Sequence, residues 1–194
     1  MNDQRWFNLA AVLIAVAVTV GAVAVAALAP APATPAPQAA PTASVPTTYR
    51  ALTITFDPSS GQYNYNVRSL SVPLRERVMF TITNYDPGSA QLPTPSDARV
   101  IGTYGGPMSI VSAGGSSQVS QLPAGDVSHT FSMSDAYYDL NVPIPPATNA
   151  VTPSQVTFAV VFDTPGVYTW GCVVLCSDPG MGTADTMYGS VSIG

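Results

Sequence analysis

Short runs of alternating apolar and polar residues dominate the chain from residue 49 onward. β-Branched and aromatic residues fill these runs, and clusters of Pro, Gly, Asn and Asp separate them. A period of two, interrupted at short intervals by turn residues, is typical of strands in an antiparallel sandwich or barrel. The pattern predicts strands at residues 51–56, 63–67, 77–83, 99–104, 108–111, 129–133, 155–162, 166–170 and 188–193. We therefore expect an all-β domain at residues 49–194.

Proline marks where this pattern should be interrupted. The segment L-N-V-P-I-P-P-A-T-N at residues 140–149 contains three prolines, which cannot donate hydrogen bonds to a neighbouring strand. It is therefore excluded as a central strand and is predicted to be an extended loop lying against the domain. The sequence D-T-P-G at residues 163–166 predicts a tight reversal between two strands, because proline fixes φ and glycine is permissive.

The first 29 residues have the composition of a membrane segment. Between Leu9 and Ala29 there is no charge, and Thr19 is the only polar side chain. A helix of about 20 apolar residues spans the ~30 Å hydrocarbon layer. Arg5 precedes this run and no further basic residue occurs before Arg50, which places the amino terminus in the cytoplasm and the rest outside.

We expect a retained signal-anchor, with a cleaved signal peptide as the alternative. The alternative rests on A-L-A-P-A-P-A at the end of the run, which offers the small residues that a cleavage site needs. Residues 30–48 are rich in Pro, Ala and Thr and lack apolar periodicity, so they predict a semi-extended linker. The predicted organisation is thus an anchor at residues 1–29, a linker at 30–48 and an extracytoplasmic domain at 49–194.

Charge excludes one class of function. The chain has six basic residues, all of them arginines, and a net charge of −5. A nucleic-acid-binding surface needs clustered basic residues, so we expect no nucleic-acid partner. A sparsely charged, acidic surface would suit either a basic partner or an acidic medium.

Candidate chemistry is concentrated in W-G-C-V-V-L-C-S-D-P-G-M-G-T-A-D-T-M-Y-G, residues 170–189. This loop between the last two predicted strands contains two cysteines and two methionines, and a sandwich could bring it close to the only histidine, His129. Thiolate, thioether and imidazole donors suit copper better than zinc or a hard cation. Each residue has a simpler interpretation: a structural histidine, methionines that fill the core, and two cysteines that form a disulfide. The candidate metal ligands are His129, Cys172, Cys176, Met181 and Met187.

The order of these motifs resembles a known family. G-D-V-S-H-T-F, then P-G-V-Y-T-W-G-C-x-x-x-C, then M-Y-G-S-V-S-I is similar to the cupredoxin fold, specifically to the copper domain of cytochrome c oxidase subunit II. The resemblance covers about residues 50–194 and is most specific at His129 and residues 165–193. It implies a Greek-key sandwich behind a membrane anchor. In that family two histidines, two cysteines, a methionine and a backbone carbonyl hold a binuclear copper centre.

The resemblance also implies roles for individual residues. His129 would be the first histidine, Cys172 and Cys176 the bridging thiolates, Val174 the carbonyl donor and Met187 the methionine. Met181 lies in an insertion between Cys176 and Met187. The second histidine would fall at Gly180 or Ala184, neither of which binds metal through its side chain. The N-x-D turn in T-N-Y-D-P-G, after which mononuclear cupredoxins often place a histidine, has none.

Two functions follow from the resemblance. The first is a membrane-anchored copper protein that binds one or two copper ions and transfers electrons in a respiratory chain. It would act as or with a subunit II-like component of a terminal oxidase, with the oxidase catalytic subunit and a redox donor protein as partners. The second is a metal-free structural or assembly module with a Cys172–Cys176 disulfide. No hydrolase-like grouping of Ser, Cys, His and Asp occurs, so no independent catalytic site is expected.

Overall fold

A computed structural model describes residues 45–174 and 187–194, which contain eleven strands and two short 3-10 helices. The 3-10 helices are Pro95–Ala98 and Ala124–Asp126. The strands are β1 (Thr47–Asp57), β2 (Gln62–Tyr65), β3 (Ser69–Val72), β4 (Arg77–Asn84), β5 (Met108–Ser112), β6 (Gly115–Val119), β7 (His129–Ser134), β8 (Asp139–Ile144), β9 (Ser154–Val161), β10 (Gly166–Gly171) and β11 (Tyr188–Ile193).

The strands form two sheets, which confirms the predicted all-β sandwich. The six-stranded sheet has the order β2-β1-β4-β9-β5-β6, and the five-stranded sheet has the order β3-β11-β10-β7-β8. The pairing is mixed, because β1 is parallel to β4 and β3 is parallel to β11. The expectation of a wholly antiparallel fold was therefore wrong for these two pairs. Two parallel neighbouring strands must be joined by a crossover connection. The connection between β1 and β4 crosses over through β3, which belongs to the other sheet.

Aromatic side chains form the centre of the core. Phe80 of β4 stacks on Phe158 of β9 at 5.2 Å between ring centroids, and it also contacts Phe131 of β7 at 5.4 Å. Phe131 in turn stacks on Trp170 of β10 at 5.0 Å. The alternation in the sequence explains this arrangement, since every second residue of β4 is buried. Inward-facing residues of both sheets thus join at one aromatic cluster.

The predicted strand at residues 99–104 is absent. Only Arg99 and Ile101 form isolated bridges there, and Gly102 has φ of +73° beyond them. A φ of this sign lies outside the strand region, so the chain turns after the bridge at Ile101, and a Cβ on Gly102 would lie 2.2 Å from the carbonyl oxygen of Asp139. Three strands were not predicted: β8, in the proline-rich segment, and β3 and β6, which are short, β6 having the polar sequence G-S-S-Q-V.

The proline-rich segment at residues 140–149 is partly a strand. β8 covers Asp139–Ile144 and pairs Pro143 with Thr130, so the predicted loop was wrong for its first half. The exclusion of a central strand holds, because β8 lies at an edge of its sheet. An edge strand tolerates proline, since one side of it has no ladder to complete. Among the described residues, Ile101 forms an isolated backbone bridge to Asn141 of β8, and the Asn141 side chain bonds the carbonyl oxygens of Asp97 and Arg99.

The predicted amino-terminal segments lie outside the described residues. Neither the anchor at residues 1–29 nor the linker up to residue 44 is described. β1 begins at Thr47, inside the last two residues of the predicted linker. Within residues 45–174 and 187–194, no helix has the length and apolarity that crossing a bilayer requires.

Close packing around Trp170 makes Gly189 a sensitive position. A Cβ there would lie 2.3 Å from Trp170 Cζ2 and 2.6 Å from the carbonyl oxygen of Arg68. We expect Gly189→Ala to lower the free energy of unfolding by about 1–3 kcal/mol, as overpacked cores do. Gly125→Ala is the control, because a Cβ at Gly125 meets no atom within 4 Å. Denaturant titration of both variants measures the difference, and equal midpoints would contradict the packing described.

Candidate metal site

The imidazole of His129 and the thiol of Cys172 meet at one end of the sandwich. His129 is the first residue of β7, and Cys172 directly follows β10, its neighbour in the same sheet. Nδ1 of His129 lies 3.9 Å from Sγ of Cys172. Both residues are buried, with 0% and 6% of their surface exposed. The fold therefore joins a mid-chain imidazole to a thiol from the last loop.

Backbone groups surround the thiol of Cys172. The N–H of Thr130 donates a hydrogen bond to Sγ at 3.4 Å, and the N–H of Val174 also hydrogen-bonds this group. Burial raises the pKa of the Cys172 thiol, but the hydrogen bond from His129, the charge of its imidazole and the two backbone N–H groups outweigh burial. The net result is a pKa below the ordinary value. The pocket thus favours the thiolate, which is the form that binds metals.

Asp86 contacts the other side of the imidazole. Its Oδ2 lies 2.9 Å from Nε2 of His129, and this is the one ion pair within residues 45–174 and 187–194. The sequence reasoning missed Asp86 as a site residue, although it had identified the N-x-D turn that contains it. A carboxylate in a turn usually caps its own backbone, and Asp86 also does this by accepting the N–H of Gly88 at 2.8 Å.

Thr130 attaches the loop after β10 to β7. Its Oγ1 accepts the backbone N–H of Val173 at 2.9 Å and lies 2.9 Å from Oγ of Ser132. Its carbonyl oxygen accepts the hydroxyl of Tyr65, again at 2.9 Å. Thr130 is fully buried, and its bonds to Tyr65 and Ser132 lie away from solvent, whereas the bond to Val173 is partly buried. The residue after the histidine therefore fixes the segment that follows the cysteine.

The other expected ligands are only partly described. Met187 is buried, and its carbonyl oxygen accepts the N–H of Cys172 at 3.0 Å, so the backbone just before β11 pairs with the backbone of Cys172. Val174 is also buried two residues beyond Cys172. Cys176 and Met181 lie outside the described residues. His129, Cys172, Val174 and Met187 thus gather around one loop.

The donor set that is described fits a soft metal ion in part. A first-row metal bonds thiolate sulfur at about 2.3 Å and imidazole nitrogen at about 2.0 Å, so two such donors of one ion lie roughly 3.5–4 Å apart. The 3.9 Å between Nδ1 and Sγ falls in this range. Within the described ranges, no three His, Cys, Asp or Glu residues group as a metal site. Among the other predicted ligands, Val174 and Met187 are described, whereas Cys176 and Met181 are not.

Tyr63 lies near the imidazole of His129 and also lines an aromatic pocket. The ring of Tyr63 lies 6.5 Å from that of His129 and 5.4 Å from that of Phe56, measured between centroids. A cavity of about 210 Å³ is lined by Thr55, Phe56, Tyr63, Tyr85 and Ala150. Burial raises the pKa of the Tyr63 phenol, and the negative charge of Asp86 raises it further. Aromatic rings thus extend from the buried site to Phe56, which is 52% exposed.

No protein-family model matches this sequence, and no curated protein is detectably similar to it. Solved structures with weak similarity include the multicopper oxidase of Campylobacter jejuni, a metallo-oxidase, with 12% identity, a TM-score of 0.41 and coverage of 79% of this chain and 31% of that one. Rusticyanin from Thiobacillus ferrooxidans has 12% identity, a TM-score of 0.38 and coverage of 76% and 80%. Laccase from Pediococcus acidilactici has 12% identity, a TM-score of 0.37 and coverage of 86% and 31%.

The present chain thus spans about a third of the length of the oxidase and of the laccase, and about four fifths of rusticyanin. All three TM-scores are below 0.5, and they establish no family for this chain.

The lowered pKa of Cys172 predicts a characteristic titration. In reduced, metal-free protein with Cys176→Ser, we expect the thiolate absorbance of Cys172 to appear at a lower pH in the folded protein than in the unfolded chain. Between the folded and the unfolded pKa of Cys172, the folded protein has lost the thiol proton while the unfolded chain still holds it. The free energy of unfolding therefore rises with pH across this interval, and the contribution is lost as pH falls through the folded pKa. Adding His129→Gln should raise the midpoint, because the hydrogen bond and the charge of the imidazole are lost while burial remains. A midpoint that His129→Gln leaves unchanged would contradict this.

The hydroxyl of Thr130 should stabilise the end of the sandwich that holds the site. Thr130→Val keeps the shape but leaves the N–H of Val173 without its acceptor. We expect a loss of about 1–3 kcal/mol in the free energy of unfolding. Thr130→Ser retains the hydroxyl and serves as the control. Chemical denaturation compares the two, and a Val variant as stable as the Ser variant would show that this bond contributes nothing.

Proposed function

We propose that residues 49–194 form a cupredoxin-like copper domain that transfers electrons. One observation carries the proposal: a buried imidazole nitrogen and a buried thiol sulfur lie 3.9 Å apart, held by separate strands of one sheet. Thiolate and imidazole together are donors that copper prefers. The lowered pKa of Cys172 supports the same conclusion, since a metal ligand must be deprotonated.

Burial of the donors suits electron transfer better than substrate chemistry. Electron transfer requires no contact between a substrate and the metal, whereas a catalytic metal keeps an open position. His129 and Cys172 would hold copper, which would supply one-electron redox chemistry between Cu(II) and Cu(I). The chain's own part would be to hold the donor atoms and exclude water. The complete burial of His129 and Thr130 supports that part.

The proposal extends to the location and partners of the domain. The apolar run at Leu9–Ala29 and the proline-rich linker support a membrane anchor with the domain outside the cytoplasm. The order of the histidine, cysteine and methionine motifs supports a subunit II-like component of a terminal oxidase. Its partners would be the oxidase catalytic subunit and a redox donor protein. One or two copper ions would be bound, depending on the ligands that Cys176, Met181 and Met187 supply.

A specific observation favours the metal-free alternative. The thiol of Cys172 already receives hydrogen bonds from the backbone of Thr130 and Val174 and lies against the imidazole. Such a pocket can hold the cysteine without an ion. In that case Cys172 and Cys176 would form a disulfide, and the domain would be a structural or assembly module.

Copper titration of the purified protein tests the proposal. After reduction, Cu(I) or Cu(II) is added, and metal stoichiometry, visible spectrum and free thiols are measured. We expect one or two retained copper equivalents and thiolate-to-copper charge-transfer bands from the Cu(II) form. Cys172→Ser should abolish those bands. The same protein with two oxidised cysteines and no retained copper would overturn the proposal and support the metal-free module.

Two methionines provide a matched comparison within this experiment. Met187 adjoins Cys172, whereas Met108 is equally buried in β5, in the other sheet. We expect Met187→Leu to shift the visible bands or weaken copper retention, and Met108→Leu to leave both unchanged. Identical effects of the two substitutions would remove Met187 from the ligand set.

A further inference from the structure

We infer that Asp86 is a positioning residue that holds the proton of the neutral His129 ring on Nε2, so that Nδ1 faces the thiol of Cys172 with its lone pair. The inference deepens the proposed function, since it concerns how the chain prepares a metal ligand. It depends on a contact between the two sheets. Asp86 follows β4 of the six-stranded sheet, whereas His129 and Cys172 belong to the five-stranded sheet.

The contact with Asp86 places a proton on Nε2 of His129. A carboxylate can only accept hydrogen bonds, so the 2.9 Å contact of Asp86 Oδ2 requires a proton on Nε2 of His129. A neutral imidazole has only one N–H. Nδ1 then presents its lone pair towards Sγ of Cys172, 3.9 Å away. In the charged ring both nitrogens are protonated, and Nδ1 remains the one that faces sulfur.

Hydrogen bonds to its neighbours hold the carboxylate of Asp86 in place. The backbone N–H of Asp86 donates to Oδ1 of Asn84 at 3.0 Å, and its carbonyl oxygen accepts the N–H of Ala147 at 2.7 Å. Oδ1 of Asp86 accepts the N–H of Gly88 at 2.8 Å, so Oδ2 is the oxygen left for the imidazole. Asn84 is itself fixed by its bond to the carbonyl oxygen of Pro145 at 3.0 Å.

The contact of Asp86 with His129 would prepare the imidazole for metal binding. An imidazole whose tautomer is set in advance presents the correct nitrogen before the ion arrives. Carboxylates that bond the second nitrogen of a ligand histidine commonly change metal affinity about 10–100-fold when they are removed. Asp86 would act through His129 and would not itself bind the metal.

The inference can be tested without metal, because His129 is the only histidine in the chain. Labelling histidine with ¹⁵N therefore gives one pair of ring nitrogen signals in the full-length, reduced, metal-free protein. We expect a protonated Nε2 in the wild type. Asp86→Asn retains an acceptor oxygen and should retain this state. Asp86→Leu removes it, and the neutral ring should then populate the Nδ1-protonated tautomer.

Asp126→Leu is the control, because Asp126 is an exposed carboxylate three residues before His129. It should leave both ring signals unchanged. An unprotonated Nε2 in the wild type would overturn the inference, whether or not Asp86→Leu folds. An Asp86→Leu protein that folds and keeps the wild-type tautomer would also overturn it.

Copper binding separates this inference from the proposed function. With Cu(I) as the probe, we expect Asp86→Leu to weaken affinity about 10–100-fold, with Asp86→Asn closer to the wild type. If the nitrogen signals follow Asp86 but no variant retains copper, the positioning role stands and the copper function fails. If the wild type retains copper and Asp86→Leu binds it equally well, the positioning role in metal binding fails and the copper function stands.

Discussion

The contact between the imidazole of His129 and the thiol of Cys172 is the feature on which the site depends. Burying two ionisable groups is unfavourable unless each has partners that favour its charged or hydrogen-bonded form. Here the thiol receives backbone N–H groups and the imidazole receives the carboxylate of Asp86. The thiol and the imidazole can therefore be shielded from water at this end of the sandwich and still have hydrogen-bond partners.

This arrangement requires both sheets. β7 and β10 supply the imidazole and the thiol, while the turn after β4 supplies the carboxylate. The phenol of Tyr65, from β2, bonds the carbonyl oxygen of Thr130 and stands edge-on to Trp170 at 4.9 Å. Aromatic packing below the site thus limits how far the two sheets can move relative to each other. The rigidity of the donor pair is a property of the core as much as of the ligands.

A rigid, buried donor pair is suited to a redox ion, because electron transfer is favoured when little reorganisation accompanies the change of charge. The same rigidity would also serve an assembly module, in which the pocket simply completes the fold. The two functions differ in whether Cys172 bonds a metal or Cys176. Both functions use the same scaffold, so the chemistry of the site, and not the fold alone, distinguishes them.

Sequence alone determined the strands whose inward positions alternate, and it identified His129 and Cys172 by residue type. β4 follows the period-two pattern along its whole length, because burial on one face selects every second residue, and β9, β10 and β11 follow it over part of theirs. Tertiary structure decided the rest. β8 forms despite Pro143 because it lies at an edge, and Ile101 only bridges to it. Asp86 joins the site because the sheets face each other, a long-range contact that no local pattern encodes.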